Sequence, residues 1–174
     1  MGVALSKCSL PSNLYLVHQF PSFSDEFDDD DEEDVIRFDH EDVDFPLPED
    51  LGPIEAWIRD VIDSHQCQLQ QVQYVFCSDD FLHRMNVEYL DHDTLTDIIT
   101  FPYTTPPEVG GEMYISTDRV RDNAADFGVS FDHELRRVII HGILHLCGFG
   151  DKTESDEQEM RRQEELALAL WTTA

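Results

Sequence analysis

The chain has 174 residues, of which 41% are hydrophobic, and its formal net charge is −27. This length suits one domain with a proper core and argues against two domains. Taken alone, the charge predicts repulsion from nucleic acid and from anionic membrane surfaces.

Residues 1–34 are predicted to form a disordered, acidic N-terminal extension. Nine of the ten residues from Asp25 to Asp34 are acidic, and such a block of like charges repels itself instead of packing. Simple solvation and the binding of a partner both remain open for this block. Residues 35–174 are predicted to form the globular domain.

The first elements of the domain follow from the spacing of apolar residues. Apolar and acidic residues mix over 35–47, which is typical of an edge strand and a loop. Pro53 suits the first position of a helix that runs to about His65, because proline has no backbone N–H to lose there. Residues 71–77 alternate and then run apolar, which predicts a strand.

The next elements are a helix and two strands. Ser78 is predicted to cap the helix. The side chains that this helix would bury are Phe81, Leu82, Met85 and Tyr89. The β-branched and apolar run 96–102 predicts a strand that ends at a proline. A loop over 104–111, rich in proline and glycine, then leads to a strand over 112–116.

Three helices are predicted to complete the domain. Thr117 or Asp118 would cap the first of them. Ser130 would cap the second, a long helix that carries two histidines four residues apart. Ser155 and Gln158 have the spacing of a capping box for the third.

The stretch HGILHLCGFGD, from His141 to Asp151, has the spacing of a metal site. Histidines four apart share one helix face, so both imidazoles of His141 and His145 can bind one ion. Gly148 can adopt a positive φ and turn the chain back, so that Asp151 reaches the same ion. Two imidazoles and a carboxylate leave a fourth position open, as in a catalytic zinc site. Cys147 would point away from the histidines and is predicted to be a small buried hydrophobe.

The residue after the first histidine argues against a zinc peptidase. Such peptidases have glutamate there as the general base, whereas this chain has Gly142. The predicted catalytic group is therefore a metal-bound water, with no side-chain base assigned. Glu134, two turns before His141 on the same helix face, is predicted to have a structural role or to support the ligands, and not to act in catalysis. Asp97 would either line the site from the sheet side or cap a turn.

Several blocks of the chain resemble the YbeY family. The stretch from His141 to Asp151 resembles the family motif His-Gly-x-Leu-His-Leu-x-Gly-x-x-His. Further similar blocks occur in the family's order at 86–89, 96–102, 111–115 and 134–135. The resemblance covers roughly residue 35 to the C-terminus. The chain departs from the family in its acidic balance, in Asp151 at the third histidine position, and in Leu90 at an arginine position.

The resemblance implies a zinc-dependent, single-strand-specific endoribonuclease that acts in 16S rRNA 3′-end maturation and ribosome assembly. One Zn²⁺ would be held by His141, His145 and Asp151, and the partners would be precursor ribosomal RNA and the small ribosomal subunit or assembly proteins. The alternatives are a non-catalytic assembly factor that the metal stabilises and, as a rival class, a metallopeptidase-like hydrolase.

We expect an α+β domain in which helices flank a mixed sheet of about four strands, with a zincin-like metal helix facing a cleft. Arg136, Arg137 and Lys152 are candidate RNA phosphate contacts. These arginines would otherwise form ordinary ion pairs on helix surfaces.

Cysteine usage and the lack of targeting signals predict a cytoplasmic protein. The four cysteines form no Cys-x-x-Cys pair, which favours reduced thiols. No span reaches the roughly 18 apolar residues of a transmembrane helix, and the N-terminus is a poor match to a signal peptide. We therefore expect neither a membrane nor a DNA partner.

Overall fold

The computed structural model describes residues 3–4 and 35–171. The predicted disordered extension, residues 1–34, lies outside the described residues except at Val3 and Ala4, which form a short strand. For the rest of the extension, disorder stays a prediction. No helix in the described part of the chain is both long enough and apolar enough to cross a bilayer.

A mixed β-sheet forms the centre of the fold. Its strands are β1 (Val3–Ala4), β2 (Ile36–His40), β3 (Gln68–Cys77), β4 (Ile98–Pro102) and β5 (Glu108–Ser116), in the spatial order β1-β4-β5-β3-β2. Strands β2, β3 and β5 are parallel, β4 is antiparallel to β5, and β1 pairs parallel with β4. The predicted α+β class and mixed sheet are confirmed, as is the edge strand within 35–47.

Five helices cover the two faces of the sheet. They are α1 (Gly52–Ser64), α2 (Asp79–Leu90), α3 (Thr117–Phe127), α4 (Phe131–Leu146) and α5 (Glu154–Leu170). Side chains of β3 alternate between the faces, as the period of a strand requires. Tyr74 and Phe76 join a large core with α1, α4 and α5, whereas Val75 and Cys77 join a smaller core with α2.

Two predicted helix caps are confirmed and two are wrong. The hydroxyls of Ser78 and Ser130 accept from the backbone N–H three residues on, as expected. Helix α3 is capped by Ser116, not by Thr117 or Asp118, because this last residue of β5 already has the extended backbone that an N-cap needs.

The capping box of α5 also lies earlier than predicted. It is formed by Thr153 and Asp156, not by Ser155 and Gln158. Thr153 is extended, with φ −110° and ψ 157°, and its side chain accepts from the backbone N–H of Asp156. The helix therefore begins at Glu154, and both predicted residues lie inside it.

Strand β5 begins four residues before its predicted start because its two glycines are part of the strand. A Cβ on Gly111 would lie 2.5 Å from the carbonyl oxygen of Phe101 in β4. Glycine is needed here for the close approach of two strands, not for a turn.

Tyr89, which was expected to be buried, is 46% exposed, and its ring meets Phe101 edge-on.

Helix α4 lies directly against the sheet at Gly142. A Cβ at this position would lie 2.6 Å from Met113 Sδ and 2.9 Å from Ile98 Cδ1, and both partners are buried. Any side chain at 142 would therefore enter the interface between helix and sheet. The last turn of α4 also lies near the sheet, since a Cβ on Gly111 of β5 would be 3.1 Å from Leu146 Cδ2.

Replacing Gly142 by alanine should destabilise the protein. Overpacking a filled core costs about 1–3 kcal/mol, whereas alanine gains roughly 1 kcal/mol over glycine in a helix. The net effect of these two terms is a fall in the free energy of unfolding of up to about 2 kcal/mol, measured in denaturant titrations of the metal-free protein. Gly150→Ala is the control, because its nearest neighbouring atom would be 3.8 Å away. A stabilising Gly142→Ala change would contradict the close packing.

Candidate metal centre

Two histidines on α4 direct the same ring nitrogen at one point. The Nε2 atoms of His141 and His145 are 2.9 Å apart. The rings stand nearly perpendicular, with an interplanar angle of 86° and centroids 4.4 Å apart. The predicted spacing on one helix face therefore brings both imidazoles together.

The other nitrogen of each ring is held by an acceptor. His145 Nδ1 lies 2.8 Å from the carbonyl oxygen of Phe149, which can only accept a hydrogen bond, so Nδ1 carries the proton. His141 Nδ1 lies 2.7 Å from Oε1 of Glu164 and donates to that carboxylate. Both Nε2 lone pairs then face each other at close range, and this arrangement fits a shared cation.

The third predicted ligand reaches the histidines through the turn that ends α4. Gly148 has φ +101°, and the N–H of Phe149 donates to the carbonyl of Leu144. This turn returns the chain towards the helix. Asp151 Oδ2 then lies 3.6 Å from His145 Nε2. One ligand atom from each of His141, His145 and Asp151 falls within 4.8 Å of the others.

Burial and neighbouring charges set the protonation of two ligands. Burial, followed by repulsion from His141 in its protonated form, lowers the pKa of His145 to about 4. Its imidazole is therefore neutral at physiological pH, as a metal ligand must be. Burial raises the pKa of Asp151, and the charge of His141 opposes this shift. The donor set of two imidazoles and one carboxylate suits Zn²⁺ and leaves one position open.

Glu164 is the residue of the site that the sequence did not reveal. It comes from α5, and its side chain is 8% exposed. The buried residues of α5 are Met160, Glu164 and Ala167, so the carboxylate lies within the apolar stripe of this helix. An acidic residue at helical spacing among core positions is the sequence signal that could have pointed to it.

Glu134 and Asp97, both predicted near the ligands, are linked to them only through other side chains. The carboxylate of Glu134 and Oδ2 of Asp97 accept hydrogen bonds from Arg137. Asp97 Oδ2 also accepts from Asn123. Arg137 in turn donates to Glu164, which holds His141. A supporting role for Glu134 and Asp97 remains a prediction, with this connection as its basis.

The candidate RNA contacts have different surroundings. Arg137 is engaged with three carboxylates. Arg136 lies over the ring of Trp171, with 5.0 Å from its guanidinium carbon to the ring centroid. Lys152 is exposed and directly follows Asp151. RNA contact by these residues remains a prediction.

Two further residues bear on the predicted chemistry, Leu90 on phosphate binding and Cys147 on metal binding. Leu90, at the arginine position of the YbeY resemblance, is half-buried against the smaller core. Cys147 is half-buried and packs against the large core. Burial, followed by the charge of Cys67, raises the pKa of the Cys147 thiol. A protonated thiol is a poor metal ligand.

Comparisons with known proteins give sequence matches over most of the chain. The family model described as Endoribonuclease YbeY matches residues 36–172. The Endoribonuclease YbeY of Flavobacterium johnsoniae is 45% identical over 137 residues, which cover 79% of this chain and 97% of the relative. That of Christiangramia forsetii is 50% identical over 115 residues, which cover 66% of this chain and 80% of the relative.

A solved structure has the same fold. The solution structure of TM1509 from Thermotoga maritima superposes with a TM-score of 0.54 at 27% sequence identity. The match covers 78% of this chain and 91% of that protein.

Zinc should stabilise the protein, and Asp151→Asn should weaken this effect. A free zinc concentration of 100 times Kd raises the free energy of unfolding by about 2.7 kcal/mol. Because the variant loses a ligand charge, its zinc affinity should fall by at least about tenfold. The measurement is thermal unfolding against zinc concentration, with Glu157→Gln as the control. Glu157 is half-exposed, acts on Asp151 only through its charge, and is not in the ligand group. Equal stabilisation of Asp151→Asn and wild type would exclude Asp151 as a ligand.

Proposed function

The chain belongs to the endoribonuclease YbeY family, and we propose that it is itself an endoribonuclease that cleaves single-stranded RNA and depends on zinc. Its substrate would be the precursor of 16S ribosomal RNA, cut during maturation of the 3′ end in the cytoplasm. The other partners would be the small ribosomal subunit or its assembly proteins.

The convergence of the two Nε2 atoms carries the proposal of a metal centre. His141, His145 and Asp151 would hold the ion, and the fixed Nδ1 protons leave both Nε2 atoms free to bind it. A divalent ion supplies Lewis acidity towards a phosphoryl oxygen and makes water more acidic. The two histidines and Asp151 would orient this chemistry beside the substrate, while burial of the rings limits access by bulk water.

The packing of α4 favours a nuclease over a peptidase. The carboxylate that zinc peptidases use as a general base follows the first histidine of their motif. Here a side chain after His141 would collide with Met113 and Ile98. The usual proton acceptor of peptide hydrolysis therefore has no room at this position.

The acidic surface limits how RNA can bind. With a net charge of −27, long-range attraction of a polyanion is weak, so local cations must contribute. Arg136 and Lys152 are the proposed phosphate contacts, because Arg137 is already bonded to Asp97, Glu134 and Glu164 and because Lys152 is exposed and adjoins the ligand Asp151.

A second candidate function is that of a non-catalytic ribosome-assembly factor. Leu90 favours it, since the side chain at the position where an arginine would face phosphate is apolar and packs into the smaller core. In such a protein the ion would mainly stabilise the connection between α4 and α5.

Cleavage of a small-subunit RNA precursor tests the proposal. The purified protein should cut the single-stranded 3′ segment and leave the same segment intact when it is annealed to its complement. His141→Ala should slow cleavage by more than about 100-fold, since outer partners of metal ligands alone are worth 10–100-fold.

The control is His133→Ala, which removes an exposed imidazole from the same helix and should leave the rate unchanged. If wild type and His141→Ala cut equally, the activity does not come from this centre. If neither cuts, the assembly-factor function replaces the nuclease.

A further inference from the structure

A buried ion cluster contacts the Nδ1 side of the His141 ring through Glu164. It contains one guanidinium, from Arg137, and three carboxylates, from Asp97, Glu134 and Glu164. The exposed fractions of the carboxylate side chains are 3%, 1% and 8%, and that of Arg137 is 22%. Charges buried to this extent require partners.

Arg137 joins three separate parts of the fold. Its Nη2 donates to Glu134 Oε1 at 2.6 Å within α4 and to Asp97 Oδ2 at 3.1 Å just before β4. Its Nη1 donates to Glu164 Oε1 at 3.2 Å on α5. Burial lowers the pKa of Arg137, but its hydrogen bonds to Glu134 and the charges of Glu164 and Asp97 outweigh this and raise it.

The same oxygen of Glu164 serves both the arginine and the histidine. Oε1 accepts from Arg137 Nη1 at 3.2 Å and from His141 Nδ1 at 2.7 Å. The position of this oxygen therefore sets the rotation of the His141 ring. If the carboxylate turned away, the ring would lose the partner that keeps its proton on Nδ1.

The charge balance of the cluster favours a cation nearby. Three carboxylates against one guanidinium leave a formal charge of −2 beside the metal centre, and Asp151 adds a further negative charge. Low polarity around these groups strengthens their attraction for a divalent ion.

We propose that Arg137 and Glu164 are positioning residues of the metal centre. Arg137 fixes the carboxylate of Glu164, and Glu164 holds the imidazole of His141 with Nε2 directed at the ion. The inference rests on the proposed function in one respect, namely that the centre binds a divalent ion. It assigns Arg137 to the metal centre instead of to RNA, because its donors are already bonded to carboxylates.

Zinc affinity of conservative variants tests this role without any RNA. Affinity is measured by competition with a chromophoric chelator, after circular dichroism shows that each variant is folded. Glu164→Ala should bind zinc about 10–100-fold more weakly. Glu164→Gln, which keeps a neutral acceptor, should lose less. Arg137→Lys should also weaken binding, because an ammonium cannot reproduce the guanidinium fork.

Matched controls repeat the same chemical changes on the surface of α5. Glu165→Gln and Arg161→Lys alter exposed side chains and should leave zinc affinity within about threefold of wild type, as for surface substitutions away from the site. The visible spectrum of the cobalt-loaded protein is a second readout. It should change in the Glu164 variants, because the orientation of one ligand changes, and stay constant in both controls.

The outcomes separate this inference from the proposed function. If wild type, Glu164→Ala and Arg137→Lys bind zinc equally, the positioning role is wrong while the metal centre stands. If wild type binds no zinc, the metal centre itself fails, and the inference fails with it. If Arg137→Lys keeps full zinc affinity but lowers RNA affinity and the salt dependence of binding, Arg137 is a phosphate contact.

Discussion

The candidate site depends on one constraint, namely that the Nδ1 proton of each histidine is bonded within the protein. Glu164 accepts from His141, and the carbonyl of Phe149 accepts from His145. Both rings are thereby fixed in rotation and in tautomer, and their remaining lone pairs meet 2.9 Å apart. Two lone pairs in contact repel each other unless a positive charge lies between them. The proposed metal centre follows from this local geometry.

The rest of the fold supplies those two acceptors. Phe149 reaches its position because Gly148 has a positive φ and turns the chain back against the last turn of α4. Glu164 reaches its position because α5 packs on α1 as well as on α4. In that contact the indole N–H of Trp57 donates to the carbonyl of Ala167 at 2.7 Å, and Met160 fills the core. The centre is therefore sensitive to the docking of α5, although only α4 and the turn after it provide the proposed ligands.

Sequence patterns predicted the parts of the site that depend on local chain geometry. Histidines four apart share a helix face in any α-helix, and a glycine after them allows the turn that returns Asp151. Glu164 escaped prediction because its partner His141 is 23 residues away, and only the docking of two helices brings them together. The ion pairs of Arg137 escaped prediction for the same reason, since its acidic partners Asp97 and Glu164 are 40 and 27 residues distant.

The errors in element boundaries have similar physical origins. Gly110 and Gly111 were assigned to a loop, but Gly111 is needed where β4 and β5 approach closely. Ser116 was assigned to a strand, yet the last extended residue of a strand can also cap the helix that follows it. In both cases the role of the residue depends on a neighbouring element. A pattern confined to one element does not contain that information.

Imidazole NMR of the zinc-loaded protein shows which nitrogen of each histidine binds the metal. Long-range proton–nitrogen correlation spectra distinguish a protonated ring nitrogen from a metal-bound one, and His141→Gln and His145→Gln assign the signals. We predict that both rings carry the proton on Nδ1 and bind zinc through Nε2. A proton on Nε2 of either ring, or zinc bound to Nδ1, would contradict it, because the acceptors Glu164 and Phe149 would then not set the geometry of the centre.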